Sequence, residues 1–153
     1  MSIDQRLAEL GITLPTPAAP VASYVPAVEI GGMLHISGQI SFDEDMSLIK
    51  GRLGENMDVD AGIAAARRCG IMLLAQIKAA LGSLDRVERI VKLGAFVSSA
   101  TSFTDQPKVA NGASELMAEV FGEAGKHARS AVGVPVLPLG AAVEVDAIVA
   151  LRP

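Results

Sequence analysis

Residues 128–151 read ARSAVGVPVLPLGAAVEVDAIVAL, two alternating runs split by Leu137-Pro138-Leu139-Gly140, and their pleat decides the fold class. Successive side chains of a strand point to opposite faces. In the last run Val143, Val145, Ala147, Val149 and Leu151 share one uniformly apolar face, which is expected to meet helices, while Ala142, Glu144, Asp146, Ile148 and Ala150 share the other. In residues 129–136, Ser130, Val132, Val134 and Val136 fall together, opposite Arg129, Ala131, Gly133 and Pro135. This reading puts Arg129 and Glu144 on the sheet face turned away from the helices. A face of small and apolar residues is poorly suited to water, so a second subunit is expected against it. An arginine and a carboxylate in such a seam are partly desolvated and suit a small anion. Taken alone, the same two residues equally describe surface charges or a plain salt bridge.

Working outward, residues 87–98 form a further strand through Val87, Ile90, Val91 and Val97. Asp105 ahead of Gln106-Pro107 starts a helix, since proline suits a first turn, and it runs to about Phe121 before Gly122. The clearest helix is capped by Asp58 or Asp60 and ended by Gly82, with Ile63, Ala66, Gly70, Leu73, Leu74, Ile77 and Leu81 at helical spacing. Before it, residues 24–30 and 33–37 read as strands joined by Gly31-Gly32, a hairpin turn, and a third strand lies near 47–53. Residues 2–10 form a short helix capped by Ser2 or Asp4, and Pro15, Pro17 and Pro20 make 12–23 an extended connector. The expected order is βββαβαββ, an α+β fold with two main helices on one face of a mixed sheet. It divides into residues 1–23, helix and connector, and 24–153, the sheet domain.

The 153 residues favour one such domain, half apolar and one fifth charged. The apolar half is mostly small and aliphatic, and oligomer interfaces are one way to recover the buried area that small side chains forgo. A net charge of −4 and the lack of a basic stripe argue against nucleic acid as a partner. No apolar run reaches the ~18–20 residues of a membrane helix, and the N-terminus lacks a basic-then-apolar leader, so the expected location is the cytoplasm. The single cysteine, Cys69, cannot form an internal disulfide and falls within the main helix as a small core side chain. His35 and His127 lack a carboxylate–cysteine constellation, so no metal is expected. Gly51-x-x-Gly54 lacks the lysine of a phosphate loop.

Several stretches in order resemble the Rid (YjgF, reactive intermediate deaminase) family: Tyr24-Val25-Pro26-Ala27-Val28, Ile36-Ser37-Gly38-Gln39-Ile40, Ala128-Arg129-Ser130-Ala131-Val132, Leu137-Pro138 and Val143-Glu144-Val145-Asp146-Ala147. The resemblance runs from about Tyr24 to the C-terminus. It is closest to a branch with an added N-terminal helix and the stretches Asn111-Gly112-Ala113-Ser114 and His127-Ala128-Arg129-Ser130-Ala131. It implies a chorismate-mutase-like fold assembled as a homotrimer, with the sheets forming a central barrel and clefts between subunits. It also implies hydrolysis of an enamine such as 2-aminoacrylate, or its imine, to a 2-keto acid and ammonia without any cofactor.

By the same resemblance Arg129 grips the substrate carboxylate, and Glu144 positions water and manages protons. Backbone groups at Gly38 and Ala131 contact substrate, Tyr24 lines the cleft, and Ser37 or Ser130 helps with water. Asn111 matches a family polar position loosely, because the loop at 98–107 looks longer here. Plainer readings stay open for Tyr24 as a packed interface aromatic, Ser37 as a strand end, Gly38 as a backbone requirement and Asn111 as a helix-surface residue. Many family members carry cysteine where this chain has Ala131, which preserves a backbone contact and removes thiol chemistry. Two rival functions remain: a non-catalytic module binding keto acids or other small carboxylates, and ribonuclease activity, the weaker given a pI near 5.1.

Overall fold

In the computed structural model, which describes residues 1–19 and 22–153, the chain runs α1 (Ile3–Glu9), β1 (Ala27–Ile30), β2 (Met33–Ile40), α2 (Val59–Leu81), β3 (Val87–Ser98), α3 (Gln106–Phe121), β4 (Ala128–Val134) and β5 (Val143–Leu151). The strands form one mixed sheet in the order β1-β2-β5-β3-β4. The pleat reading of β5 holds: Val143, Val145, Ala147, Val149 and Leu151 are buried, and the residues between them are half-buried.

Helices α2 and α3 both cover that buried face, α2 over β5 and β2, and α3 over β3 and β4. Asp58 caps α2 by accepting from the Ala61 amide at 2.8 Å, a contact of a kind worth about 1 kcal/mol. The helix ends at Gly82, as its sequence implies. The two helices approach closely because glycine sits at their crossing. A side chain at Gly112 would strike the Ile63 carbonyl, and one at Gly70 would lie 2.7 Å from Leu116 Cδ2. Cys69 is buried in this layer with its thiol donating to the Val143 carbonyl, and burial pushes that thiol's pKa far up.

At the hairpin, Gly31 and Gly32 take φ of 59° and 75°, the left-handed pair that a two-residue turn requires. The expected third strand at 47–53 does not form as a strand. Its residues make isolated bridges to changing partners, Phe42 with Leu48, Lys50 with Ala141, and Leu53 with both Met57 and Ser99, so no continuous ladder develops. Among the described residues the sheet has five strands in place of the six implied by βββαβαββ. The final two strands are not a hairpin either. β3 lies between them and pairs β4 in parallel, with α3 as the crossover.

The N-terminal helix is tied down. Ser2 and Gln5 form a reciprocal capping box, Leu7 is buried, and Arg6 Nε donates to the Glu119 carbonyl at 2.9 Å. Lys78 of α2 pairs with Asp4 at 3.1 Å. The connector beyond it has no regular structure over residues 12–19, and its Pro20 lies outside the described residues. Among the described residues, no helix is long and apolar enough to cross a membrane.

Candidate functional site

Arg129 stands on the opposite face from the one its strand pattern implied. In β4 it pairs with Leu93 of β3, whose side chain is fully buried under the helices. Alternation correctly grouped Arg129 with Ala131 and set Ser130, Val132 and Val134 apart, but alternation alone does not say which set faces inward. β4 is an edge strand, so a long side chain on its inner face can run along α3 and keep its head at the rim. Ser130 and Val132 take the open face, both exposed, while Ala131 packs against the core margin.

The guanidinium of Arg129 is fastened to α3. Its Nη1 donates to Asn111 Oδ1 at 2.8 Å and to Ser114 Oγ at 3.1 Å, and Nη2 donates to the Pro107 carbonyl at 3.4 Å. Asn111 and Ser114 lie three residues apart on one helix face, which is why both reach one side chain. Ser114 Oγ lies 2.9 Å from His127 Nε2, and His127 Nδ1 lies 2.6 Å from the Gly125 carbonyl. A carbonyl can only accept, so Nδ1 carries the proton. Burial, and secondarily the charge of Arg129, hold the His127 pKa below its ordinary value, against the pull of the Gly125 carbonyl. Ser114, His127 and Arg129, with Glu115, Ala118 and Lys126, line an open groove of about 480 Å³. Both hydrogens of Nη1 and one of Nη2 are thus committed, whereas Nε makes no hydrogen bond among the described residues. Nε with the second hydrogen of Nη2 is the fork left for a ligand.

A second cluster forms at the β2–β5 seam. The pairing of these strands shifts register between Ile36 and Gln39, a bulge that carries Ser37 and Gly38. Glu144 sits opposite Ile40, and its carboxylate covers Gly38 so closely that any side chain there would collide with it. Among the described residues the Glu144 carboxyl has no hydrogen-bond or ion-pair partner. Burial first, and the neighbouring Asp146 second, raise its pKa. Asp146 is likewise raised by burial, against a contact from Gly94 and the charge of Lys92. Ser37 Oγ donates to the Val25 carbonyl at 3.0 Å, which fixes the segment bearing Tyr24, an exposed side chain.

The predicted residues therefore fall into two groups. Arg129, Asn111 and Ala131 belong to the β4 rim, and Glu144, Gly38, Ser37 and Tyr24 belong to the β2–β5 seam. Ser130 joins neither group's polar contacts; it lies on the open face beside Gly94. Sequence reasoning passed over Ser114, His127 and Asp146 as site residues. The first two stood within branch-specific stretches, and their i, i+3 and i, i+2 spacings to Asn111 and Arg129 were the available signal. No group of three or more potential metal ligands occurs among the described residues.

Comparison with known proteins places these groups in a family context. The family described as "YjgF/chorismate mutase-like, putative endoribonuclease" matches residues 4–151. Protein TCP17 of Trypanosoma cruzi is 54% identical over 96% of this chain and 92% of its own length. The crystal structure of Atu1372 from Agrobacterium tumefaciens superposes with a TM-score of 0.90 at 46% identity, covering 98% of this chain and 92% of that one. RidA from Psychrobacter sp. superposes with a TM-score of 0.61 at 30% identity, covering 89% of this chain and 94% of that one. With the fold, the two clusters and these likenesses in agreement, the chain belongs to the YjgF/chorismate mutase-like family, the Rid family that its motifs resemble.

Proposed function

We propose that this protein hydrolyses enamine or imine intermediates of amino acids to 2-keto acids and ammonia, at a site completed between subunits of a homotrimer. The observation that carries the reading is the Arg129 guanidinium, held by α3 through Nη1 and one Nη2 hydrogen, with Nε and the second Nη2 hydrogen left as a fork without a partner among the described residues. That fork matches a carboxylate, the group every 2-amino acid derivative bears. Glu144 supplies the other half. A partnerless carboxyl whose pKa is raised by burial takes up a proton more readily than a free one and is suited to exchanging protons with substrate.

The chemistry asks for little more. Protonation of the terminal carbon of 2-aminoacrylate gives the iminium, whose carbon is electrophilic. Water attacks it, Glu144 takes a proton from that water, and the carbinolamine gains the proton on nitrogen. The C–N bond then breaks as the hydroxyl gives up its proton, which balances the proton taken up at carbon, and ammonia and pyruvate are released. Arg129 holds the carboxylate still, which turns a chance encounter into a positioned one.

The exposed apolar residues of the open sheet face, Val28, Ile30 and Val132, support assembly through that face. The test is keto-acid release from freshly generated 2-aminoacrylate, followed against a buffer blank. Acceleration that is lost in Arg129→Ala supports the proposal. Pyruvate binding that depends on Arg129, with no acceleration, favours instead a carboxylate-binding module without turnover.

A further inference from the structure

The two stretches particular to this branch, one on α3 and one opening β4, meet in a single hydrogen-bonded chain. It runs from the Gly125 carbonyl through His127 and Ser114 to Arg129, with Asn111 beside it. None of Ser114, His127 or Gly125 is needed for the hydrolysis described above. We infer that Ser114 and His127 are positioning residues that fix which edge of Arg129 meets a carboxylate, and that seating an anion there is coupled to proton uptake at His127. This rests on the carboxylate reading of Arg129 and extends it.

The direction of each hydrogen bond follows from the end of the chain. The Gly125 carbonyl must receive the Nδ1 proton, so in the neutral ring Nε2 is bare and accepts the Ser114 hydroxyl hydrogen. The Ser114 oxygen then has lone pairs for Nη1 of Arg129. Together with Asn111, this saturates Nη1, and with one Nη2 hydrogen on the Pro107 carbonyl it leaves Nε and the second Nη2 hydrogen for an anion.

When the ring gains a proton, Nε2 becomes a donor and the Ser114 hydrogen must turn elsewhere. The serine oxygen can still accept from both Nε2 and Nη1, so proton uptake reverses one bond without releasing Arg129. What opposes uptake is burial first and charge second. Arg129 lies on the far side of the same hydroxyl, and its positive field further disfavours the protonated ring. A carboxylate on the open fork offsets that field and makes the protonated ring easier to form. By reciprocity, the anion binds more tightly as pH falls through the His127 titration.

The surrounding charges do not supply this coupling. Lys126 is paired with Glu123 at 2.8 Å, and Arg89 from β3 is spent on the Lys126 carbonyl at 2.6 Å. Glu115 shares the groove and is exposed. Its charge is screened by solvent and is the same with or without an anion.

The experiment is a proton NMR titration of the two histidines in the native protein, without and with saturating pyruvate. His35 is exposed on β2 and serves as the internal reference. The expected result is an upward move of the His127 midpoint by about half a pH unit or more, with His35 unchanged. Calorimetry near pH 6 in buffers of different ionisation heat then shows proton uptake on binding. Ser114→Ala weakens pyruvate by about five-fold, and Ser114→Thr, which keeps a hydroxyl, recovers most of that. Pyruvate binding that depends on Arg129 while the His127 midpoint stays fixed overturns the coupling and leaves the carboxylate reading standing. Failure of the folded native protein to bind pyruvate at all overturns both.

Discussion

Arg129 and Glu144 stand on opposite faces of one sheet, Arg129 beside Leu93 on β3 and Glu144 beside Phe96. Two strand spacings and three residues of rise separate them, about 14 Å between backbones. Neither side chain can cross the sheet, so a site that uses both takes one from each of two chains. Mixing Arg129→Ala with Glu144→Gln protein and allowing subunits to exchange should therefore restore activity. In a closed ring of three with random mixing, about a quarter of the interfaces pair an intact arginine with an intact glutamate. Keto-acid release from the mixture should approach that share of the native rate, with each variant alone near the blank. If the mixture stays as inactive as its parents, the two residues do not act across an interface.

Glu144 and Asp146 share the open face two residues apart, and both have raised pKa values in the fold. A carboxyl raised on folding is least costly when protonated. Its contribution to stability is complete below the unfolded pKa, near 4, and is lost as pH rises through the folded value. At pH 7 both groups oppose folding, and each repels the other. Glu144→Gln and Asp146→Asn should each raise the midpoint of thermal unfolding at pH 7 and leave it unchanged near pH 3. The gain should stay under about 1 kcal/mol per residue, because each carboxyl is half exposed and solvent screens it. An equal gain at both pH values would mean the substitution improves packing, with charge irrelevant.

How far the sequence could be read depends on what each pattern encodes. Helices α2 and α3 were legible to within a residue, because Asp58, Gly82, Asp105 and Gly122 punctuate them and a 3.6-residue period runs between. The inward face of β5 was legible because five apolar residues alternate with a mixed set that includes Glu144 and Asp146. β4 was not, since Arg129-Ala131 and Ser130-Val132 are both mixed sets and only its edge position decides between them. The absent strand at 47–53 shows the same limit: strand-forming residues were present, but a continuous partner was not. At the site, Arg129 and Glu144 could be chosen from motifs, whereas the link from Ser114 to His127 depends on a helix meeting a strand and is written in no local pattern.

Gly112 couples the helix layer to the β4 rim. It is buried at the α2–α3 crossing, between Asn111 and Ser114, and a side chain there would meet the Ile63 carbonyl and the Arg67 amide. Backbone cannot yield as a flexible side chain can. Gly112→Ala should push α3 outward and cost about 1–3 kcal/mol, read as a lower denaturant midpoint with an unchanged slope. The same shift moves both anchors of Nη1, so carboxylate binding should weaken in the fraction that remains folded. Gly82→Ala supplies the contrast: it strains a left-handed cap on the surface and should lower stability while leaving binding intact.

Val132 tests what covers the open face. It is 45% exposed, Val28 is 49% and Ile30 is 68%, all on the side of the sheet that no helix covers. An isolated protomer gains nothing from these residues, so Val132→Glu should leave folding nearly unchanged, within about 0.5 kcal/mol. In an assembly packed through this face, the same change buries an unpaired charge in each interface, which is strongly unfavourable. Light scattering should then fall from the mass of three chains to that of one, with the circular dichroism spectrum preserved. Activity should fall with it, because the Arg129 rim and the Glu144 seam would no longer meet. Ala64→Glu, an exposed position on α2, is the matched control and should change neither mass nor rate. A Val132→Glu protein that keeps the native mass would place the subunit contact elsewhere and remove the open face from the proposed site.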